Sequence, residues 1–421
     1  MNGTFTAPPT PRSILRVFLL FWLAIAAYKF AATLHYTLLA PLGATLMPLW
    51  IVGLLIGGES FIQVLLDVPA SRLVDRFGRK RMLAVGLFSF ALAAFFITQF
   101  SFFSYIASVA FSIIGWLFLA QGVNAYVLSY AELETSGRFL ALRDTFWSIG
   151  VVLASISLPF VLMLAPPSMG LILIGIFAGA FLLLVFAPPD RPTMHATPIL
   201  PAEAYHIKRT ALSETVRAFW SLNPASSMLF IYSLAGSIFY GVIWFVVPLV
   251  IATEPNQEIL GLGLGIFDFA IIVFGFLIGT IVDRGNKRLL IFYGLLLFAI
   301  MSILLGAFLG PLFLLFGFLA TTGDETAGLS LWSWLHALDK AHAHDGAVAG
   351  ALALAEDAGY TIGPIVAGFC YLLIGPGWTI AVGAVPLVLT WFIYTWFANV
   401  PLATLSAGLI PRMPMRPRHK A

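Results

Sequence analysis

Charge is the scarcest property of this 421-residue chain: only 10% of its residues are Asp, Glu, Lys or Arg. A soluble domain carries about 25% and needs them to cover its surface, so a water-soluble globule is excluded. Cysteine is nearly absent too. Cys370 is the only one, so no disulfide within the chain is possible. There is no phosphate-binding glycine loop, no nucleophile elbow and no metal-ligand spacing. Nothing therefore points to an enzyme, and no cofactor or metal is expected. The excess of three positive charges is spread by topology and makes no nucleic-acid surface.

What is present is apolar: 60% of the residues are hydrophobic. They form twelve stretches near the length that spans a bilayer, from 14–36 through 48–71 to 378–398. Of the 22 Lys and Arg, 21 lie in the termini or at the ends of spans 2/3, 4/5, 6/7, 8/9 and 10/11. The exception is Lys29, inside span 1. Cations are retained on the cytoplasmic side. The reading is a multi-pass protein of a bacterial plasma membrane with both termini cytoplasmic. Met1 to Arg12 is polar and lacks the pattern of a cleaved signal.

One phrase occurs twice. Ser71-Arg72-Leu73-Val74-Asp75-Arg76-Phe77-Gly78-Arg79-Lys80-Arg81 returns 208 residues later as Gly279-Thr280-Ile281-Val282-Asp283-Arg284-Gly285-Asn286-Lys287-Arg288. At the same shift Gly53 matches Gly261, Gly57 matches Gly265 and Phe61 matches Phe269. Asp144-x-x-x-Ser148-Ile149-Gly150 answers Asp357-x-x-x-Thr361-Ile362-Gly363. The chain thus divides into an N-terminal six-helix bundle (1–188), a cytoplasmic linker (189–222) and a C-terminal six-helix bundle (223–421). Within the linker, Glu203 to Trp220 has the pattern of an amphipathic helix on the inner leaflet.

On these residues the chain resembles the major facilitator superfamily. Leu73, Asp75, Arg76, Gly78, Arg79 and Lys80 occupy positions of the family's loop signature, with Ser71 where glycine is usual. The second copy keeps Asp283, Arg284, Gly285 and Lys287. The resemblance implies an all-α membrane fold of twelve helices, in two bundles related by a pseudo-twofold axis. It also implies that Asp75 meets the inner end of span 11 and closes a cytoplasmic gate. Glu132 and Glu134 are expected to partner the loop arginines, and Asp144, Glu356 and Asp357 lie near the same inner edge.

Ionisable groups at membrane depth are costly and mark function. Glu59, Asp268 and the pair Asp324-Glu325 fall at mid-depth, and Lys29 about 8 Å from the outer boundary. Glu59, Gln63 and Asp67 follow a spacing of four and make one polar stripe that faces a cavity or a partner helix. Gln121 and Asn124 in span 4, with Tyr240 and Trp244 in span 7, extend the candidate site, as do Tyr28 and Tyr36. His35 is expected at the outer mouth.

These groups predict a secondary active transporter that works by alternating access and is driven by protons. Glu325, Asp324 or Glu59 would carry the proton, with Lys29 as the counter-charge that one of them loses. The surplus of carboxylates over one lysine favours a cationic or neutral small molecule. The expected partners are that solute, protons and the bilayer, with the chain acting as a monomer. Span 5 lacks the glycine-proline motif usual in drug antiporters of the family, which leaves efflux antiport as the second reading. A non-transporting scaffold or receptor is the reading from another class, and it gives no reason for Asp324-Glu325.

Overall fold

The computed structural model describes residues 18–130, 136–189, 224–254, 259–338 and 345–398. The linker helix expected at Glu203 to Trp220, and Glu132 and Glu134, lie outside these residues. All regular structure among the described residues is helical. The helices are α1 (Leu19–Leu46), α2 (Leu49–Phe77), α3 (Arg79–Gln99), α4 (Phe102–Tyr130), α5 (Ser136–Leu162) and α6 (Pro166–Phe186), then α7 (Pro224–Thr253), α8 (Ile259–Arg284), α9 (Lys287–Ala307) and α10 (Pro311–Leu338). A last helical run, Asp345–Ala398, breaks at Gly375, whose φ of 77° suits glycine, and so supplies α11 (345–374) and α12 (376–398). Gly78 (φ 94°) turns α2 into α3 inside the repeated phrase.

By length and hydropathy nine described stretches can cross a membrane, one of them (Ala351–Trp396) containing both α11 and α12. α8 passes as two segments, Ile259–Phe274 and Leu277–Arg284. α10 is absent from this set because Thr321 to Thr326 is a polar run in its middle. Bilayer lipid is the solvent that such surfaces require. Leu65, Phe88, Leu182, Leu372 and Trp396 all point outward.

The packing repeats as the sequence does. In the first half α1 packs on α5 and α6, α3 on α4 and α6, and α2 on α4. In the second, α7 packs on the α11–α12 run, α9 on α10 and on that run, and α8 on α10. Two main seams join the halves, α2 against α11 and α5 against α8, with α1 also meeting α7. The repeated glycines explain why these seams are so close. A Cβ on Gly53 would lie 2.4 Å from the Pro364 carbonyl oxygen, and one on Gly57 2.4 Å from that of Thr361. Their mate on the other seam, Gly261, would place a Cβ 2.8 Å from the Ser155 carbonyl oxygen. Small residues let backbones touch where lipid supplies no hydrophobic drive. All of these contacts lie toward the end of the bundle opposite the Lys/Arg-rich loops. At the basic end Gly279 has nothing within 4 Å of where its Cβ would be.

The structure corrects the first span. α1 does not stop at 36 but runs on to Leu46, through Pro41. Its Thr37 hydroxyl is satisfied within the helix, donating to the Thr33 and Leu34 carbonyls at 3.0 and 2.9 Å. Proline is tolerated in such helices because neighbours satisfy the freed carbonyl. His35, expected at a mouth, is fully buried, with Nε2 2.9 Å from Ser108 Oγ. Ser108 in turn donates to the Ala93 carbonyl at 2.9 Å. Lys29 consequently lies deeper than its expected 8 Å from the boundary, roughly 25 Å along the helix from Leu46 at 1.5 Å per residue.

Candidate functional site

Asp324 is the most completely built member of the site. It sits in the middle of α10, where Thr321, Thr322 and Thr326 return their hydroxyls to carbonyls one turn back. The helix therefore carries its polar run at no cost in unsatisfied hydroxyls. Across from it α7 offers two tyrosines eight residues apart, on one face. The Tyr240 hydroxyl donates to Asp324 Oδ2 at 2.6 Å. The Tyr232 hydroxyl is shared between Asp324 Oδ1 and the Asp324 carbonyl oxygen (2.8 Å to the latter). Tyr240 was expected here and Tyr232 was not; their i, i+8 spacing is the signal that would have found it. Glu325, the next residue, makes no hydrogen bond or ion pair with any described residue and is only partly buried. It lies in the field of Asp324 and Asp268. Trp244, one turn beyond Tyr240, is partly buried against the core and makes no hydrogen bond with Asp324.

Lys29 occupies the other side of the seam. Its Nζ lies over two indole rings, 4.5 Å from the Trp116 centroid on α4 and 4.1 Å from the Trp147 centroid on α5. Such contacts stabilise an ammonium by about 0.5–2 kcal/mol without neutralising it. No carboxylate oxygen lies within 4.0 Å of it. The acid whose field it feels is Asp268 of α8, in the opposite half, rather than Glu59, Asp324 or Glu325. That corrects the expected counter-charge. Asp268 lies near Ser148, next to Trp147 on α5. Gly150 lets α1 come close: a Cβ on it would be 2.9 Å from Lys29 Cβ.

The stripe on α2 faces α4, a partner helix within the first half. Glu59 is 1% exposed; its Oε1 accepts from Ser112 Oγ at 2.9 Å and from Gln63 Nε2 at 3.5 Å. Its Oε2 has no partner, nor does the buried Tyr36 hydroxyl near it. Asp67 lies near Gln121 of α4 and faces Asp357 of α11 across the seam, two like charges near the basic end. Asn124 and Asp144 meet through Arg143, whose Nε and Nη2 donate to Asp144 Oδ1 at 2.9 and 2.6 Å while Nη1 donates to Asn124. Arg143 was not singled out from sequence. Glu356 is exposed at the same end.

The repeated phrase gives a mixed result. Arg76 stacks on Phe77, and Asp283 and Arg284 are exposed with no ion pair to a described residue. Lys80 Nζ donates to the carbonyls of Val185 and Ala187 at 2.9 and 2.7 Å, closing the end of α6. Lys287 Nζ donates to the Ser333 carbonyl at 3.3 Å. Asn286 caps α9, its Oδ1 accepting from the Arg288 amide at 3.1 Å. A Cβ on Gly285 would meet the Ile281 carbonyl at 2.8 Å. Arg79 is partly buried at the start of α3.

Two like halves of membrane-length helices, meeting at a seam lined with ionisable groups, define an integral multi-pass membrane protein. The Major Facilitator Superfamily profile matches residues 17–355, and the chain belongs to that family. Among curated proteins no sequence matches. Solved structures do. The nucleoside transporter NupG is 14% identical with a TM-score of 0.68, covering 90% of this chain and 99% of its own. A bacterial homolog of the human lysosomal transporter Spinster, inward-facing and occupied, is 13% identical with a TM-score of 0.68, covering 93% and 98%. The xylose transporter XylE from E. coli, partially occluded and inward open, is 16% identical with a TM-score of 0.63, covering 92% and 99%. At such identities the likeness is one of fold. Membership in this transporter family supports transport of small molecules rather than catalysis.

Proposed function

We propose that the protein is a proton-coupled secondary transporter of a cationic or neutral small solute, working as a monomer by alternating access. One observation carries this reading. Lys29 lies in the field of Asp268, and Glu325 in the fields of Asp268 and Asp324, where the halves meet, and none of the four forms an ion pair within 4.0 Å with a described residue; in this reading they stand at mid-depth. Charges held there without permanent partners are expensive, and binding or moving a charged species is the use that repays them. In this reading residues 1–188 and 223–421 are the rocking bundles, 189–222 tethers them, and the basic end faces the cytoplasm of a bacterium. The close glycine contacts between the halves lie toward the other end. Asn124, Asp144 and Glu356 are exposed at the basic end, where Asp67 and Asp357 repel across the seam. Both features support an inward-facing arrangement, and two of the similar structures carry that description.

The test begins with a thermal-shift screen of small amines, amino acids, sugars and nucleosides at two pH values. Compounds that stabilise the protein are then offered to proteoliposomes under an imposed pH gradient with a trapped pH dye. Solute-dependent proton entry is expected, and its loss in Glu325→Gln or Asp324→Asn. Coupled uptake that persists undiminished in both variants would sink the proton role of this pair.

A further inference from the structure

Lys29, Asp268 and Glu325 make no hydrogen bond or ion pair with any described residue, and the lysine and the two carboxylates belong to opposite halves. The lysine is held from behind. Its Nζ lies over Trp116 and Trp147, its Cβ abuts Gly150, and its side chain is still partly accessible. Two ring faces leave the ammonium's N–H donors without an acceptor among the described residues, and an ammonium has three to place. Opposite stands the reverse arrangement. Asp324 is saturated by Tyr232 and Tyr240, whereas Glu325, one residue on, accepts from no described donor. Asp268, near Ser148 and so beside Trp147, has a field that reaches both Lys29 and Glu325.

A simple cation would satisfy Glu325 and leave Lys29 uncompensated and repelling it. A simple anion would do the converse against Asp268, Asp324 and Glu325. The geometry points to a small zwitterion: an anionic group, such as a carboxylate, accepts from Lys29 Nζ, and an ammonium group donates to Glu325 and Asp268. This rests on the transport reading above and narrows its neutral solute to one carrying both charges. It also gives the seam a physical closure. A bound zwitterion bridges α1 to α10 and α8, so each half is compensated only when both hold the same molecule. Trp116 and Trp147 are positioning residues, aiming the ammonium without cancelling its charge.

Purified protein at one fixed pH in detergent is sufficient, since binding needs no gradient. The probes are 4-aminobutanoate, with butanoate and butylamine as matched single charges; glycine and 6-aminohexanoate bracket the charge spacing. At least one aminoalkanoate is expected to raise Tm, with a half-maximal concentration at least tenfold below those of butanoate and butylamine. Lys29→Gln and Glu325→Gln should each raise that concentration about tenfold, which is about 1.4 kcal/mol. Lys29→Arg keeps the cation and should restore binding, separating lost charge from lost packing. The proposal is overturned if butylamine stabilises as well as the best zwitterion. It is equally overturned if K29Q binds like the parent, or if no aminoalkanoate shifts Tm. Any of these results, alongside proton-driven uptake of another solute, would leave the transport reading standing. Zwitterion binding without proton flux would do the reverse.

Discussion

Replacing Gly53 by alanine puts the seam between the halves to a direct test. The added Cβ would sit 2.4 Å from the Pro364 carbonyl oxygen, where ordinary contact begins near 3.4 Å. A carbonyl in the middle of α11 cannot swing aside as a side-chain tip could, so α2 and α11 must part by about 1 Å. Overpacking of this kind costs about 1–3 kcal/mol. If only the arrangement with this seam closed bears that cost, the equilibrium moves about 5- to 150-fold toward one in which the seam is open. Gly58 is the built-in control, because a Cβ there meets nothing within 4 Å. The assay uses Cys370→Ser to remove the only thiol. A single cysteine at position 124, which is exposed at the basic end, then reports that end's accessibility. In inside-out vesicles a membrane-impermeant maleimide should label the Gly53→Ala protein at least fivefold more slowly than its parent. Gly58→Ala should label like the parent. Equal rates for all three, with unchanged thermal stability, would refute the claim that backbone contact at this seam holds the observed arrangement.

Tyr232→Phe and Tyr240→Phe each remove a donor from Asp324, and each should cost about 1.5–3 kcal/mol, read as a lower Tm. Glu59 has no cation beside it and one oxygen without a donor. Glu59→Gln should therefore change stability by less than about 1 kcal/mol, whereas Glu59→Leu, which removes the acceptor of Gln63 and leaves Ser112 only the Val109 carbonyl, should cost more, about 1–3 kcal/mol. A large loss for the glutamine variant would mean that the carboxylate is held as an anion. Lys80→Met should lower thermal stability by about 1 kcal/mol through the exposed carbonyls of α6, with the affinity for any bound solute unchanged.

The bilayer environment, the twelve helices and the duplication were legible because they are written in composition and in period, which survive any rotation of a helix. Which residues meet was not. Asp324 announced itself as a charge at depth, but its two tyrosines depend on how α7 turns toward α10. The Ser112 bond to Glu59 depends likewise on the rotation of α4, although Ser104, Ser108 and Ser112 already form a stripe at spacing four. Lys29 was misplaced in depth because His35, Thr37 and Pro41 read as the end of a span. Inside a packed bundle a histidine can bond to Ser108, a threonine to its own helix, and a proline can leave a carbonyl for a neighbour. Polar residues end an apolar stretch on paper; in the bundle they are absorbed wherever a partner faces them.

The point where the chain leaves the first half has a mechanical consequence. Lys80 holds the carbonyls of Val185 and Ala187, Tyr126 donates to that of Pro188 at 2.6 Å, and Tyr130 donates to that of Pro189. The last turn of α6 and the prolines after it are thus riveted to α3 and α4, just before the residues that run toward α7. Tension along that tether would be delivered to two whole helices as a load in shear, instead of peeling α6 from its free end. The lysine of the repeated phrase is one of those rivets, so the same few residues that mark the duplication also anchor the strap between its two products.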